Sequence, residues 1–202
     1  MNTHFKIWET AALLSLCFTL LLCAWAQGRQ ASISADLVRL HVIAVSDAPE
    51  EQALKLRIRD AVLAYLGPRL ACAEDRAAAI NTLNADLEGI RRAAEDAAEG
   101  RSVRVTLGRE HYPLRQYKGF TLPAGEYESL RVVLGEGEGH NWWCIVFPPL
   151  CLQAVEGEKL QSVMSREDYG IVCEEEGYEL RFKIVELWGE IGNCIRRWNG
   201  VY

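Results

Sequence analysis

The chain has no internal repeats and no low-complexity linkers, and past its first 26 residues it has no apolar run long enough to cross a membrane. It is also short of positive charge. Lys and Arg number 22 against 28 for Asp and Glu, a net charge of -6, which excludes a protein that coats nucleic acid through phosphate contacts. With 25% charged and 9% aromatic residues it has neither the bias of collagen-like and coiled-coil chains nor the polarity of a disordered one. What its 202 residues supply, half of them apolar, is one ordinary domain with a core to bury, acidic and suited to protein partners.

The apolar run sits at the N-terminus. Ala11 to Cys23 is broken only by Ser15 and Thr19 and follows a short head carrying His4 and Lys6, the layout of an export leader. Ala24-Trp25-Ala26 then offers the small-x-small pattern that a leader peptidase accepts, which predicts cleavage after Ala26 and a mature chain opening at Gln27. Read through to Ala26, the run approaches the length of an uncleaved anchor, so residues 1–26 are a signal peptide or membrane anchor and 27–202 a single extracytoplasmic domain. Outside the leader stand Cys72, Cys144, Cys151, Cys173 and Cys194, an odd number, so at least one thiol is free or pairs between molecules.

Leu37 to Ala44 alternates as a strand, with Val38, Leu40 and Val42 on one face and Arg39 and His41 on the other. Asp47, Pro49 and Glu50 carry helix-start chemistry, with Asp47 as cap. The helix repeats apolar residues at Leu54, Ile58, Val62 and Tyr65, sets Glu51, Lys55 and Arg59 on its opposite face, and ends near Gly67 and Pro68. The Ala-rich stretch Glu74 to Glu99 reads as two short helices meeting around Asn84, Asp86 and Gly89. Past Gly100 the period changes to two. Strands are predicted from Val103, over Tyr117 to Leu122, Glu126 to Leu134 and Asn141 to Phe147, with Pro148 and Pro149 ending the last; a meander is the simplest arrangement. The pattern allows a further strand around Tyr169 to Cys173, and Leu180, Ile184, Leu187, Trp188 and Ile191 repeat at helical spacing. The fold class is therefore α+β: a mainly antiparallel sheet with N-terminal helices and a C-terminal amphipathic helix packed on it.

No constellation carries persuasive chemistry. Glu136 and Glu138 would repel phosphate from the Gly135 to Gly139 loop, and a strand follows where a phosphate loop opens a helix. The loop lacks the ligand ladder of a calcium hand, and the cysteines lack the paired spacing of structural zinc, so no metal is expected. Cys144 with His41, His111 or His140 is a conceivable nucleophile and base, but four residues of strand put His140 roughly 13 Å from Cys144. Cys144 and Cys151 bracket a proline turn that could bring them within bridging distance, so they are a disulfide candidate against the alternative of two buried thiols. Trp142 and Trp143 are neighbours on a strand and point to opposite faces. With a one-sided core, one of them needs cover from a helix of the same domain or from an outside partner.

Three long blocks carry a resemblance. They are LHVIAVSDAPEEQALKLRIRDAVL from Leu40 to Leu63, LPAGEYESLRVVL from Leu122 to Leu134 and GEGEGHNWWCIVFPPLCL from Gly135 to Leu152. With the leader and the closing RFKIVELW segment, the chain resembles the stage II sporulation protein R family over nearly its whole length; Val45 stands where Asn is expected before Ser-Asp. The resemblance implies a signalling protein of endospore-forming bacteria and not an enzyme, made in the forespore and exported into the space between the septal membranes. Its implied partner is a membrane-embedded aspartic protease of the mother cell, which processes the precursor of sigma factor E; no cofactor, nucleic acid or small-molecule substrate is implied. The partner-binding candidates are His41, Asp47, Asn141, Trp142, Trp143, Pro148 and Pro149. Two alternatives stand beside this reading: an envelope cysteine hydrolase using Cys144 on cell-wall peptide, and a structural septal protein.

Overall fold

A computed structural model describes residues 3–117, 120–148 and 164–173. One strand decides the architecture. Val38–Ile43 forms β1, and all of its residues are buried, so it lies inside a sheet covered on both faces rather than on one. Val38, Leu40 and Val42 face one side, where they meet Leu54, Ile58 and Val62 of α2 (Pro49–Leu70), Leu83 of α3 (Arg76–Ala85), and Ile90 and Ala94 of α4 (Leu87–Asp96). Each of the larger aliphatic chains buried here contributes about 1.5–3 kcal/mol.

The sheet order is β2-β5-β1-β6, with β2 at Val103–Tyr112, β5 at Gly125–Leu134 and β6 at Asn141–Phe147. This corrects the meander. β5 and β6 are consecutive in the chain yet not neighbours, because β1 inserts between them, parallel to β5 and antiparallel to β6. The β2–β5 pairing is antiparallel as well, so the sheet is mixed and mostly antiparallel. The segment read as one strand from Tyr117 to Leu122 contributes instead to a separate two-stranded sheet, β3 (Arg115–Tyr117) against β4 (Phe120–Leu122).

The second face of the sheet is covered by the end of α1 (Thr3–Ala35), by β3 and β4, and by α5 (Arg166–Cys173). Ile33 and Leu37 are fully buried there with Tyr112, Leu122, Tyr127 and Ile145. α5 replaces the strand allowed around Tyr169 to Cys173. Its start is set by a reciprocal cap: Ser165 Oγ donates to Asp168 Oδ2 (2.8 Å) and accepts from the Asp168 amide (3.1 Å). Buried Asp168 also accepts from Ser32 Oγ at 2.6 Å, which ties α5 to α1. The helix from Thr3 runs unbroken through Ala26, and its Lys6–Ala35 part is long enough to cross a membrane and holds an 18-residue stretch of mean hydropathy 1.9. The closing helix expected over Leu180 to Ile191 lies outside the described residues.

α3 and α4 meet at Asp86, as the sequence predicts. The junction depends on Gly89: a Cβ there would lie 2.1 Å from Tyr65 Oη and 2.2 Å from Asp86 Oδ1, two side chains joined by a 2.6 Å bond from Tyr65 Oη to Asp86 Oδ2. Gly89→Ala is expected to cost about 1–2 kcal/mol by breaking that bond, despite the better helix propensity of alanine. Chemical unfolding checks it; a neutral or stabilising change would show that the two side chains move aside freely.

Candidate functional site

At one end of the sheet two loops clasp each other, residues 44–48 after β1 and residues 135–140 before β6. Gly139 N donates to Ala44 O at 2.9 Å, and the amide of His140 donates to Asp47 Oδ1 at 2.7 Å. Gln52 Nε2 donates to Ser46 O at 2.8 Å, while Lys55 Nζ donates to His140 O at 2.9 Å and to Gln52 Oε1 at 2.5 Å. Asp47 is thus not the cap of α2. Ala48 occupies that position without a side-chain bond, and the Asp47 carboxylate serves the other loop. Lys55, expected on the exposed face of α2, is buried, and burial pushes its ammonium pKa down. α2 also runs on to Leu70 with Pro68 inside it, beyond the predicted end.

Below the clasp, His41 projects from β1 onto the second face and is only 3% exposed. Its ring stacks on Trp143 with centroids 3.7 Å apart; Nδ1 donates to Glu110 Oε1 at 2.8 Å, and Nε2 lies 2.9 Å from Asn141 Oδ1. Ser129 Oγ donates to Glu110 Oε2 at 2.9 Å. Because that bond uses the only hydroxyl proton of Ser129, the 2.6 Å contact with Tyr112 is a donation from Tyr112 Oη. The chain Tyr112 to Ser129 to Glu110, met from the other side by His41, leaves Ser129 facing a carboxylate rather than an imidazole base. Ser129 is therefore not an activated nucleophile.

Arg39, two residues before His41, is fully buried among aromatic rings. Its guanidinium carbon lies 4.3 Å from the Tyr112 ring centroid, 5.0 Å from Tyr127 and 5.7 Å from Tyr117. Nε donates to Cys144 O at 3.0 Å, and Nη2 donates to Tyr117 Oη at 2.6 Å.

Burial alone would raise the carboxyl pKa of Glu110, but the hydrogen bond and charge of His41, the hydroxyl of Ser129 and the charge of Arg131 outweigh it and hold it below the usual range. A carboxylate depressed in this way stabilises the fold above its unfolded pKa, about 4.3 for Glu, and that contribution is lost as pH falls through the folded value. The acid limb of stability below about pH 5 is therefore expected to be shallower in Glu110→Gln than in the natural chain. Unfolding free energies measured across that range check it; identical slopes would contradict it.

The structure brings His41, Asn141 and Trp143 together on one face and seats Asp47 beside His140 in the clasp. Trp142 points to the opposite face, where the Arg59 guanidinium covers it at 4.4 Å, so both indoles have cover from their own domain. Pro148 is buried in the turn after β6; Pro149 and Cys151 lie outside the described residues. Cys144 is disulfide-bonded. Sequence reasoning missed Glu110, Tyr112 and Ser129, read Arg39 and Lys55 only as face residues of a strand and a helix, and weighed His140 only as a base for Cys144. The only signal was the high proportion of Tyr, Arg and His at alternating positions of β1, β2 and β5. A cleft of about 370 Å³ between the end of α1 and the start of α3 is lined by Asp36, Glu74, Asp75, Arg76 and Phe147, away from this cluster. Among the described residues no group of three or more His, Cys, Asp or Glu side chains could hold a metal ion.

A family model described as Stage II sporulation protein R matches residues 34–157. That range takes in β1 to β6, both clasp loops and the His41 cluster. The Stage II sporulation protein R of Bacillus subtilis (strain 168) is 33% identical over 140 residues, which is 67% of this chain and 62% of that relative, so the match spans under two thirds of the relative's length. No solved structure matches the chain. On the extent of both sequence matches, the chain belongs to the stage II sporulation protein R family of sporulation signalling proteins.

Proposed function

We propose that the protein is exported from the forespore into the septal intermembrane space, where it activates a membrane-embedded aspartic protease of the mother cell that processes the precursor of sigma factor E. The observation that carries this reading is the junction of an apolar helix, Lys6–Ala35, with a domain whose acid, base and hydroxyl groups are turned inward and bonded to each other. Such a domain offers a shaped surface rather than a reaction site. A ligand of this kind works only by binding the active form of its receptor more tightly than the inactive form; a shift from 1:99 to 99:1 takes about 5.5 kcal/mol of differential binding.

The clasp is the surface best placed for that contact. It is held in one shape from beneath by Lys55 and Gln52, while the side chains of Asp47 and His140 stay 58% and 75% exposed. His140→Ala leaves the backbone bonds of the clasp in place. It is expected to change stability by about 0.5 kcal/mol or less and to lower activation of the protease about tenfold or more. Precursor cleavage by the reconstituted protease checks it; cleavage at the natural rate would remove the clasp from the receptor contact. The alternative, an envelope hydrolase, needs a thiolate at Cys144, and a disulfide-bonded sulfur is not one.

A further inference from the structure

We infer that the export signal stays on the protein as a rigid membrane anchor, with lipid around Thr10 to Gly28, and that it holds the domain so that the clasp faces away from that membrane. Thr10 to Gly28 is nineteen residues without a charge, about 28 Å of helix, close to the roughly 30 Å of a bilayer's hydrocarbon core. Leu13, Leu14, Leu16, Phe18, Leu21 and Leu22 are 43–70% exposed and point to all sides of the helix, a surface suited to lipid and not to water. Trp8 and Trp25 stand at its two ends, at the level where indoles meet lipid headgroups.

Removal after Ala26 needs an extended stretch there, because a peptidase reads its substrate as a strand. Nothing supplies one: the first glycine is Gly28, beyond the bond, the first proline is Pro49, and the helix continues through Ala35. It also passes from lipid into the domain without a linker. Arg29, next after Gly28, pairs with Glu167 at 2.5 Å and with Asp168 at 3.4 Å. Gln30 Nε2 donates to Glu126 O at 3.3 Å and lies so close to Gly125 that a Cβ there would be 2.2 Å from it. One turn further on, Ile33 is fully buried in the second face of the sheet.

The strands set the direction. α1 docks where β5 begins, at Gly125 and Glu126, and β5 runs from there to Leu134, about 30 Å at the rise of a strand. β1 runs parallel to β5. Both strands therefore lead into the clasp loops, residues 44–48 and 135–140, at the end of the sheet farthest from the docked turn of α1. An anchored domain of this build presents the clasp at a fixed height, about 30 Å beyond the docking point. Anchoring and orientation do not depend on what the clasp meets, so they stand or fall apart from the receptor reading.

The test uses the full chain, expressed with its leader in a non-sporulating host. N-terminal sequencing and intact mass of the exported chain are expected to show the leader retained, in a membrane fraction that resists carbonate extraction. A soluble chain opening at Gln27 would overturn the anchor. Orientation is read after reconstitution into phosphatidylcholine vesicles with acceptor dyes on their headgroups. Glu126→p-azidophenylalanine and Glu136→p-azidophenylalanine, both at exposed positions, each carry a donor dye. Energy transfer from the first site is expected to exceed that from the second about threefold or more, and a flexible Gly-Ser insert of about ten residues after Gly28 to bring the two close to equal. Equal transfer without the insert, or stronger transfer from the Glu136 site, would overturn the orientation, and an insert that changes nothing would overturn the rigid coupling.

Discussion

Arg39→Ala is expected to destabilise the domain by about 3–5 kcal/mol, the range of large buried side chains removed from a packed core. The guanidinium fills the space between Tyr112, Tyr117 and Tyr127, so its loss leaves a cavity on the second face of the sheet. It also takes a charged donor away from the Cys144 carbonyl and from the Tyr117 hydroxyl, bonds worth about 1.5–3 kcal/mol each. Yet Arg39 Nη1 has no hydrogen-bond partner among the described residues, so burying the charge carries a penalty of its own. Arg39→Met keeps most of the volume and removes that penalty, and its expected loss is smaller, about 1–2 kcal/mol. Chemical unfolding of the two variants separates packing from charge. Equal losses would show that the charge, and not the filled space, holds this layer together.

Gly139→Val is the second large effect. A Cβ at Gly139 would lie 2.4 Å from Ser46 O, 2.6 Å from Ser46 C and 2.9 Å from Ser46 N. These are backbone atoms, so no rotamer change relieves the contact and the two loops must separate. With them go the Gly139 bond to Ala44 and the His140 bond to Asp47, for an expected cost of about 2–4 kcal/mol. Serine or alanine should cost nearly as much, because the clash begins at Cβ. If the clasp is also the receptor surface, activation should fall further than the melting curve explains. Activity lost only in proportion to folded protein would make the clasp a stabilising feature alone.

Several elements were legible because local chemistry decides them. β6 spans Asn141–Phe147 as predicted, since a glycine loop precedes it and proline ends its ladder. The break at Asp86 was equally readable from Asn84 and Gly89. Long-range order was not. Nothing near Arg39 or His41 announces that β1 lies between β5 and β6, and that insertion turns a half-exposed strand into a buried one with polar side chains on its second face. The same holds for the cluster itself: Glu110 is 69 residues from His41 and meets it only through the register of β2 on β5 and β5 on β1. At Asp47 a plausible local cap lost to an acceptor role 93 residues away. α5 was misread for a different reason, since eight residues are too few for periodicity to separate strand from helix, although the Ser165 to Asp168 cap was there to be seen.

The measurement that tests the proposed function most directly is reconstitution in a non-sporulating host. The chain with its leader, the candidate membrane protease and the sigma factor E precursor are co-expressed, each is omitted in turn, and precursor length is followed by blot. Cleavage that needs both this protein and the protease is the predicted result. An intact precursor in the presence of folded, exported chain, or cleavage that proceeds equally well without it, would contradict activation by this protein.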